Sequence, residues 1–198
     1  MNTDLFFEQE YILENERSRL EPLLESHYKE LLPVAMEKDI WEFTTATVNN
    51  EADFRRYFNN ALEERKKGLS YPFAIYDKQY NRYAGCTRYG NIVFPHKRVE
   101  IGWTWYAPAL QRTGINKATK FLLLSFGFEQ LDLNRIELKT SSKNLKSQGA
   151  MLKIGAVKEG TFRRYMLNEN GTVRDTVFFS FIKEEWPGIK SSIFKEYV

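Results

Sequence analysis

The sequence predicts a mixed α/β (α+β) layer sandwich, a mostly antiparallel sheet flanked by helices. Three observations carry that reading. Helical apolar stripes come first, over residues 27–36 and 51–67. Aromatic-rich runs suited to strands follow, from Tyr71 to Tyr106, and the second half then reads strand, helix, strand, helix, strand. That last order requires at least one parallel crossover, because a strand, a helix and a neighbouring strand return the chain in the same direction.

Each element has its own signal. Tyr11 to Leu20 mixes apolar and charged positions as one first strand, and Pro22 marks its end. His27 to Met36 places Tyr28, Leu31, Leu32, Ala35 and Met36 on a helical stripe that Pro33 interrupts. Glu51 to Lys67 puts Phe54, Tyr57, Phe58, Ala61 and Leu62 on one face, with Gly68 as a stop. Tyr71 to Tyr76 and Tyr83 to Tyr89 are strands on either side of a hairpin loop, Asp77–Arg82. In Arg98 to Tyr106, Val99, Ile101, Trp103 and Trp105 alternate with Glu100, Gly102, Thr104 and Tyr106, the period of a strand with two different faces; Pro108 closes it. After residues 111–116 a helix runs to about Gln130, with Ala118, Phe121, Leu122, Ser125 and Phe128 on one face. Arg135 to Thr140 is a short strand, and Asn144 to Ile154 a helix ended by Gly155. Ala156 to Leu167 and Thr172 to Ile182 pair about Asn168-Glu169-Asn170-Gly171, whose Asn-Gly step signals a hairpin. Trp186 to Val198 is a tail without an assigned structure.

Composition narrows the class. A chain of 198 residues fits one domain, 1–198 with residues 185–198 as its tail. Hydrophobic residues at 42% and charged residues at 28% are ordinary for a soluble globular protein. A formal charge of +3 is too small to indicate a nucleic-acid partner, although it permits a local basic patch for an anionic ligand. The single Cys86 excludes an internal disulfide and a Cys-rich metal site, and His27 and His96 lack a ligand spacing, so no metal is expected. The first ten residues hold acidic side chains and no Lys or Arg, unlike a secretory signal. No run approaches the ~20 apolar residues of a membrane span. A cytoplasmic protein without a membrane partner is expected.

Gln111-Arg112-Thr113-Gly114-Ile115-Asn116 stands where a strand hands over to a helix. Such a turn presents unpaired backbone N–H groups with the positive end of the helix dipole behind them, which attracts phosphate. Gly114 would admit a ligand without a Cβ clash. Thr113, Asn116, Arg112 and Lys117 add donors or charge. One glycine is neither a nucleoside-triphosphate loop nor a dinucleotide fingerprint, and from these residues alone an ordinary helix cap is the leading reading, ahead of an anion site.

The wider string is more specific. Glu100-Ile101-Gly102-Trp103, Trp105-Tyr106-Ala107-Pro108 and the 111–116 loop together resemble the central block of the GNAT N-acetyltransferase superfamily. More narrowly, they are similar to the branch containing ribosomal-protein alanine/serine N-terminal acetyltransferases. Residues Asn134–Thr140, Asn144, Ser147 and Lys153–Gly160 match that branch downstream. The resemblance is tight from about Arg98 to Phe181, and the last dozen residues lie outside it. Asn116 departs from the pattern, which commonly has a second Gly or Ala there.

The resemblance implies a sheet with one parallel, splayed strand pair, here Val99–Tyr106 and Arg135–Thr140, with acetyl-CoA in the cleft between them. It implies that backbone near Trp105 and Tyr106 pairs with the pantetheine arm, and that the N–H groups of Thr113, Gly114, Ile115 and Asn116, beside Gln111 and Arg112, hold the pyrophosphate. An amine would attack the thioester directly. The branch often carries a carboxylate at Glu100, which is then the candidate base; a salt-bridging glutamate is the alternative. Ser147 matches the serine beside the CoA sulfur, a candidate acid, and a packing residue is the alternative. Asn144, one turn earlier, would hold the pantetheine or cap its helix. Cys86 reads as a buried, inert thiol rather than a nucleophile.

The acceptor side is read from position only. Trp41, Phe43 and Tyr57 belong to the N-terminal helices that line the acceptor cleft in this superfamily, and Arg163 lies in the closing strands. Core packing is the default reading of each aromatic. The acceptor could be a protein or peptide N-terminal α-amine, or a small amine such as a polyamine, antibiotic or amino-acid derivative. A non-catalytic acyl-CoA-binding regulatory protein is the reading from another class. Monomer and homodimer are both open.

Overall fold

The computed structural model describes residues 3–198. A helix α1 (Thr3–Glu8) leads into one eight-stranded sheet of β1 (Leu13–Glu14), β2 (Ser18–Pro22), β3 (Tyr71–Asp77), β4 (Arg82–Val93), β5 (Arg98–Tyr106), β6 (Arg135–Ser141), β7 (Val157–Leu167) and β8 (Val173–Ile182). Their spatial order is β1-β2-β3-β4-β5-β6-β8-β7. Every neighbouring pair is antiparallel except β5 and β6, which are parallel. The helices are α2 (Tyr28–Ala35), α3 (Glu51–Lys66), α4 (Ile115–Ser125), α5 (Leu145–Lys153) and α6 (Trp186–Ile193). This is the predicted fold class, including the single parallel pair. No described helix is long and apolar enough to cross a membrane.

Two consecutive residues of β4 show the layering. The Arg88 guanidinium pairs with Glu64 of α3, while the Tyr89 hydroxyl donates to the Leu123 carbonyl of α4. Neighbouring strand residues point to opposite faces, so α3 and α4 cover opposite sides of the sheet. On the α4 side Gly127 lets the end of the helical segment approach β6: a Cβ there would stand 2.6 Å from Ile136 Cδ1. The α3 side buries Phe54, Phe58 and Ala61, with Tyr28 of α2 stacked on Phe54.

Several boundaries differ from the sequence reading, each for a local reason. The expected first strand is two short ones, because the Asn15 side chain accepts from the N–H groups of Arg17 and Ser18 and turns the chain between them. Pro33 lies inside α2 without breaking it. In so short a helix its ring falls in the last turn. Residues 126–130 continue α4 as one wide turn, closed by Leu131 N–H donating to the Phe126 carbonyl. The tail is α6 followed by a 3-10 turn, with Trp186 and Phe194 buried against Phe121 and Phe128 of this same chain.

Candidate active site

The turn between β5 and α4 leaves backbone donors free. After a 3-10 turn at Pro108–Leu110, Arg112 (φ 67°) and Gly114 (φ 97°) both adopt left-handed backbone. Among the described residues, the backbone N–H groups of Arg112, Gly114, Ile115, Asn116 and Lys117 have no backbone acceptor, and no side chain caps α4. A Cβ added to Gly114 would meet nothing within 4 Å, so the space before the turn is open. Free donors at a helix N-terminus attract anions, which makes this turn a candidate anion cradle. Thr113 differs from its neighbours, its N–H and hydroxyl both facing the Leu110 carbonyl.

The cradle is braced from behind. Arg17 donates from Nη2 to Thr113 Oγ1 at 3.1 Å while its Nη1 pairs with buried Asp77, tying the β3–β4 turn to the loop. Lys146 at the start of α5 donates to the Gln111 amide oxygen, which brings α5 and a further cation to the loop. Lys117 is paired with Glu196 beyond α6.

β5 and β6 are joined only at Arg98↔Arg135, Val99↔Ile136 and Glu100↔Glu137. Beyond Glu100 the two strands part, opening the splay the resemblance implied. On its other edge β5 carries a bulge, since Trp103 and Thr104 together oppose Thr87, and Trp103 sits at φ 50°. One extra residue reverses the alternation from there onward. Trp105, paired with Cys86, therefore shares the face of Glu100 and Gly102, and not that of Val99 and Ile101 as simple alternation predicts. Tyr106 correspondingly turns to the α4 side. Glu100 lies on the α3 face, 4% exposed, with Oε2 accepting from Asn91 Nδ2 and paired with Lys139 Nζ at 2.8 Å. Its Oε1 has no hydrogen-bond partner among the described residues. The salt-bridging reading of Glu100 is thus realised, and one carboxylate oxygen remains available as an acceptor.

Asn144 caps α5, its Oδ1 accepting from the Ser147 N–H at 3.0 Å. The cap fixes the first turn of α5 against the loop and leaves the half-exposed Ser147 hydroxyl without a partner among the described residues.

The family model described as "Acetyltransferase (GNAT) domain" matches residues 17–157. The chain belongs to the GNAT acetyltransferase family. It is 36% identical over 138 residues to "Putative ribosomal N-acetyltransferase YdaF" of Bacillus subtilis (strain 168), covering 70% of this chain and 69% of that one. It is 32% identical over 123 residues to "Uncharacterized N-acetyltransferase YoaA" of the same organism, covering 62% and 67%. A GCN5-related N-acetyltransferase from Brucella melitensis superposes with a TM-score of 0.87 at 27% identity, over 96% of this chain and 86% of that one. The protein is therefore an acetyl-CoA-dependent N-acetyltransferase.

On the opposite side of this GNAT sheet, the expected acceptor residues separate. Trp41 and Phe43 lie in the loop between α2 and α3 rather than on a helix; Tyr57 alone is helical. Pro33 and the residues after Met36 give that loop no continuing helical stripe. Trp41 packs on Tyr57 and on Trp105, ring centroids 4.9 and 5.4 Å apart, and donates its indole N–H to the Ala35 carbonyl at 2.8 Å. Arg163 is elsewhere. It sits in a bulge of β7 and lines a shallow concavity with Thr161, Phe162, Arg164 and Asp175. The arginine that reaches the loop between α2 and α3 is Arg174 of β8, whose Nη1 donates to the Phe43 carbonyl at 2.9 Å. Sequence reasoning missed Arg174 and Lys139. Each sits at an alternate position of its own strand, but only the β5–β6 and β6–β8 registers together put both on the face of Glu100. Cys86 is buried and its thiol is pushed up to about 12 by desolvation, which removes it as a nucleophile near neutral pH. Among the described residues no cluster of His, Cys, Asp and Glu could hold a metal.

Proposed function

We propose that the enzyme acetylates a protein or peptide N-terminal α-amine by direct attack within a ternary complex. What supports this reading is that Glu100 stands where β5 and β6 part and that the free N–H groups of the 112–116 turn follow the end of β5, both on the opening this separation would leave. The N–H groups of Arg112, Gly114, Ile115 and Asn116 lie toward its α4 side, and the Glu100 carboxylate toward its α3 side. In this reading those N–H groups, with Gln111 and Lys146 beside them, hold the CoA pyrophosphate. The unpaired β5 edge at Trp105 and Tyr106 pairs with the pantetheine arm as an added strand would. Asn144 keeps α5 in place, and Ser147 supplies the proton to the leaving sulfur. Glu100 Oε1 accepts the amine proton, directly or through a water, while Lys139 holds the other oxygen in place.

The choice of a chain end as acceptor rests on two supports. The name of the Bacillus subtilis relative YdaF refers to the ribosome. A cleft of about 440 Å³ lies between loop 35–49 and the β7–β8 turn, lined by Trp41, Glu42, Thr44 and Asn170 among others. A groove built from a loop and a hairpin suits an extended segment better than a closed small-molecule pocket would. Calorimetry with acetyl-CoA, followed by thiol release on peptides and small amines, tests the proposal. Turnover fastest on peptides with a free α-amine, and absent on N-blocked ones, is the expected result. Faster turnover of polyamines or aminoglycosides overturns the acceptor assignment.

A further inference from the structure

α4 carries a buried lysine that neither the cradle nor Glu100 uses. Lys120 lies less than two turns beyond Gly114 and is 5% exposed, among Ala118, Thr119 and the apolar run Phe121–Leu124. Among the described residues no carboxylate pairs with it. Its Nζ donates to Thr104 Oγ1 at 3.0 Å, and Thr104 in turn lies 2.7 Å from Thr87 Oγ1. Burying a cation without a counter-charge is costly, and an apolar side chain of similar size would pack there at no such cost. Burial alone pushes the Lys120 amine down to about 7. Thr104, its one partner, belongs to the β5 bulge, which stands opposite Thr87 where β5 has already left β6.

We propose that Lys120 is a positioning residue for acyl transfer, holding the Trp103–Thr104 bulge through the Thr104 hydroxyl so that the free edge of β5 presents its backbone groups to the bound donor. The inference rests on the acyl-transfer reading above. A bulge changes where the following N–H and carbonyl groups point, and a shift of about 1 Å at the reacting centre is enough to slow transfer by orders of magnitude. The lysine reaches from the helix that begins at the cradle to the strand that lines the splay, so one side chain couples the two halves of the donor site.

The test uses the full chain as wild type, Lys120→Met, Thr104→Val and Thr104→Ser, plus the Lys120→Met/Thr104→Val double variant. Melting, calorimetry with acetyl-CoA, and thiol release are measured for each, with the acceptor that wild type turns over fastest or with water as the slow acyl acceptor. Lys120→Met is expected to melt no lower than wild type and to bind acetyl-CoA within about threefold, while kcat falls at least about tenfold at unchanged acceptor KM. Thr104→Val should match it, Thr104→Ser should recover most of that loss, and the double variant should be no worse than either single one. Wild-type kcat in a folded Lys120→Met overturns the proposal, as does a loss wholly in acetyl-CoA affinity. If Lys120→Met does not fold, equal kcat in Thr104→Val and Thr104→Ser overturns it. Failure of wild type to bind acetyl-CoA would instead refute the donor-site reading.

Discussion

Gly114→Val separates a ligand cradle from an ordinary helix cap. Gly114 has φ 97°, a conformation in which a β-branched side chain is strained by about 1–3 kcal/mol. A Cβ there would touch no protein atom within 4 Å, so no clash adds to that strain. A domain of ordinary stability, about 5–15 kcal/mol, survives such a cost. The valine methyl groups would instead occupy the open space before the free N–H groups. Hydrogen bonds to a charged group contribute about 1.5–3 kcal/mol each. Loss of two therefore weakens acetyl-CoA binding by about 3–6 kcal/mol, or roughly two to four orders of magnitude. Calorimetry gives the affinity, and a melting curve recorded in parallel gives the strain. A variant with lowered melting temperature but wild-type affinity would refute the cradle and leave the turn as a cap alone.

Glu100→Gln keeps the shape and the Asn91 contact but removes the proposed base, so kcat/KM read by thiol release should fall about 10²–10⁴-fold. Trp186→Ala empties the contact with Phe121, Phe128 and Phe194 and should cost about 3–5 kcal/mol, readable as a drop of roughly 6–20 °C in melting temperature. Cys86 should resist iodoacetamide at pH 8 until the protein is unfolded, and Cys86→Ala should retain kcat. Lys120 also predicts a pH dependence of stability. Its folded pKa of about 7 lies below the unfolded value, so between about pH 7 and 10.5 the unfolded chain holds the extra proton and stability rises with pH, by at most about 1.4 kcal/mol per unit. Denaturant titrations of Lys120→Met should lack that increment; an identical slope in both proteins would contradict it.

Loss of alternation at Trp103 shows where reading the chain as a string breaks down. Nothing in Arg98–Tyr106 marks a bulge, because the extra residue exists only relative to Thr87 on β4. The face of Trp105 was therefore misassigned, while that of Glu100, before the bulge, was read correctly. α4 teaches the same lesson. Its periodicity picks out one buried face, yet every residue from Ala118 to Leu124 is buried, since α6 covers a second side. The tail was read without an assigned structure, so nothing in the sequence reading marked Lys120 as buried.

Apart from α1, the division of the first strand into β1 and β2, and the tail helix α6, the elements and their order, the hairpins at 77–82 and 168–171, and the Gly114 turn were legible because each is a local pattern of period, cap or backbone freedom within about a dozen residues. The GNAT string from Glu100 to Asn116 was legible for the same reason. The acceptor face was not. Arg174 meets the Phe43 carbonyl across 131 positions of sequence, and Lys139 meets Glu100 across 39, through strand registers that no local pattern encodes. The turn itself is local, but the Arg17 and Lys146 side chains that brace it come from 96 and 35 positions away in sequence, and only packing brings those together.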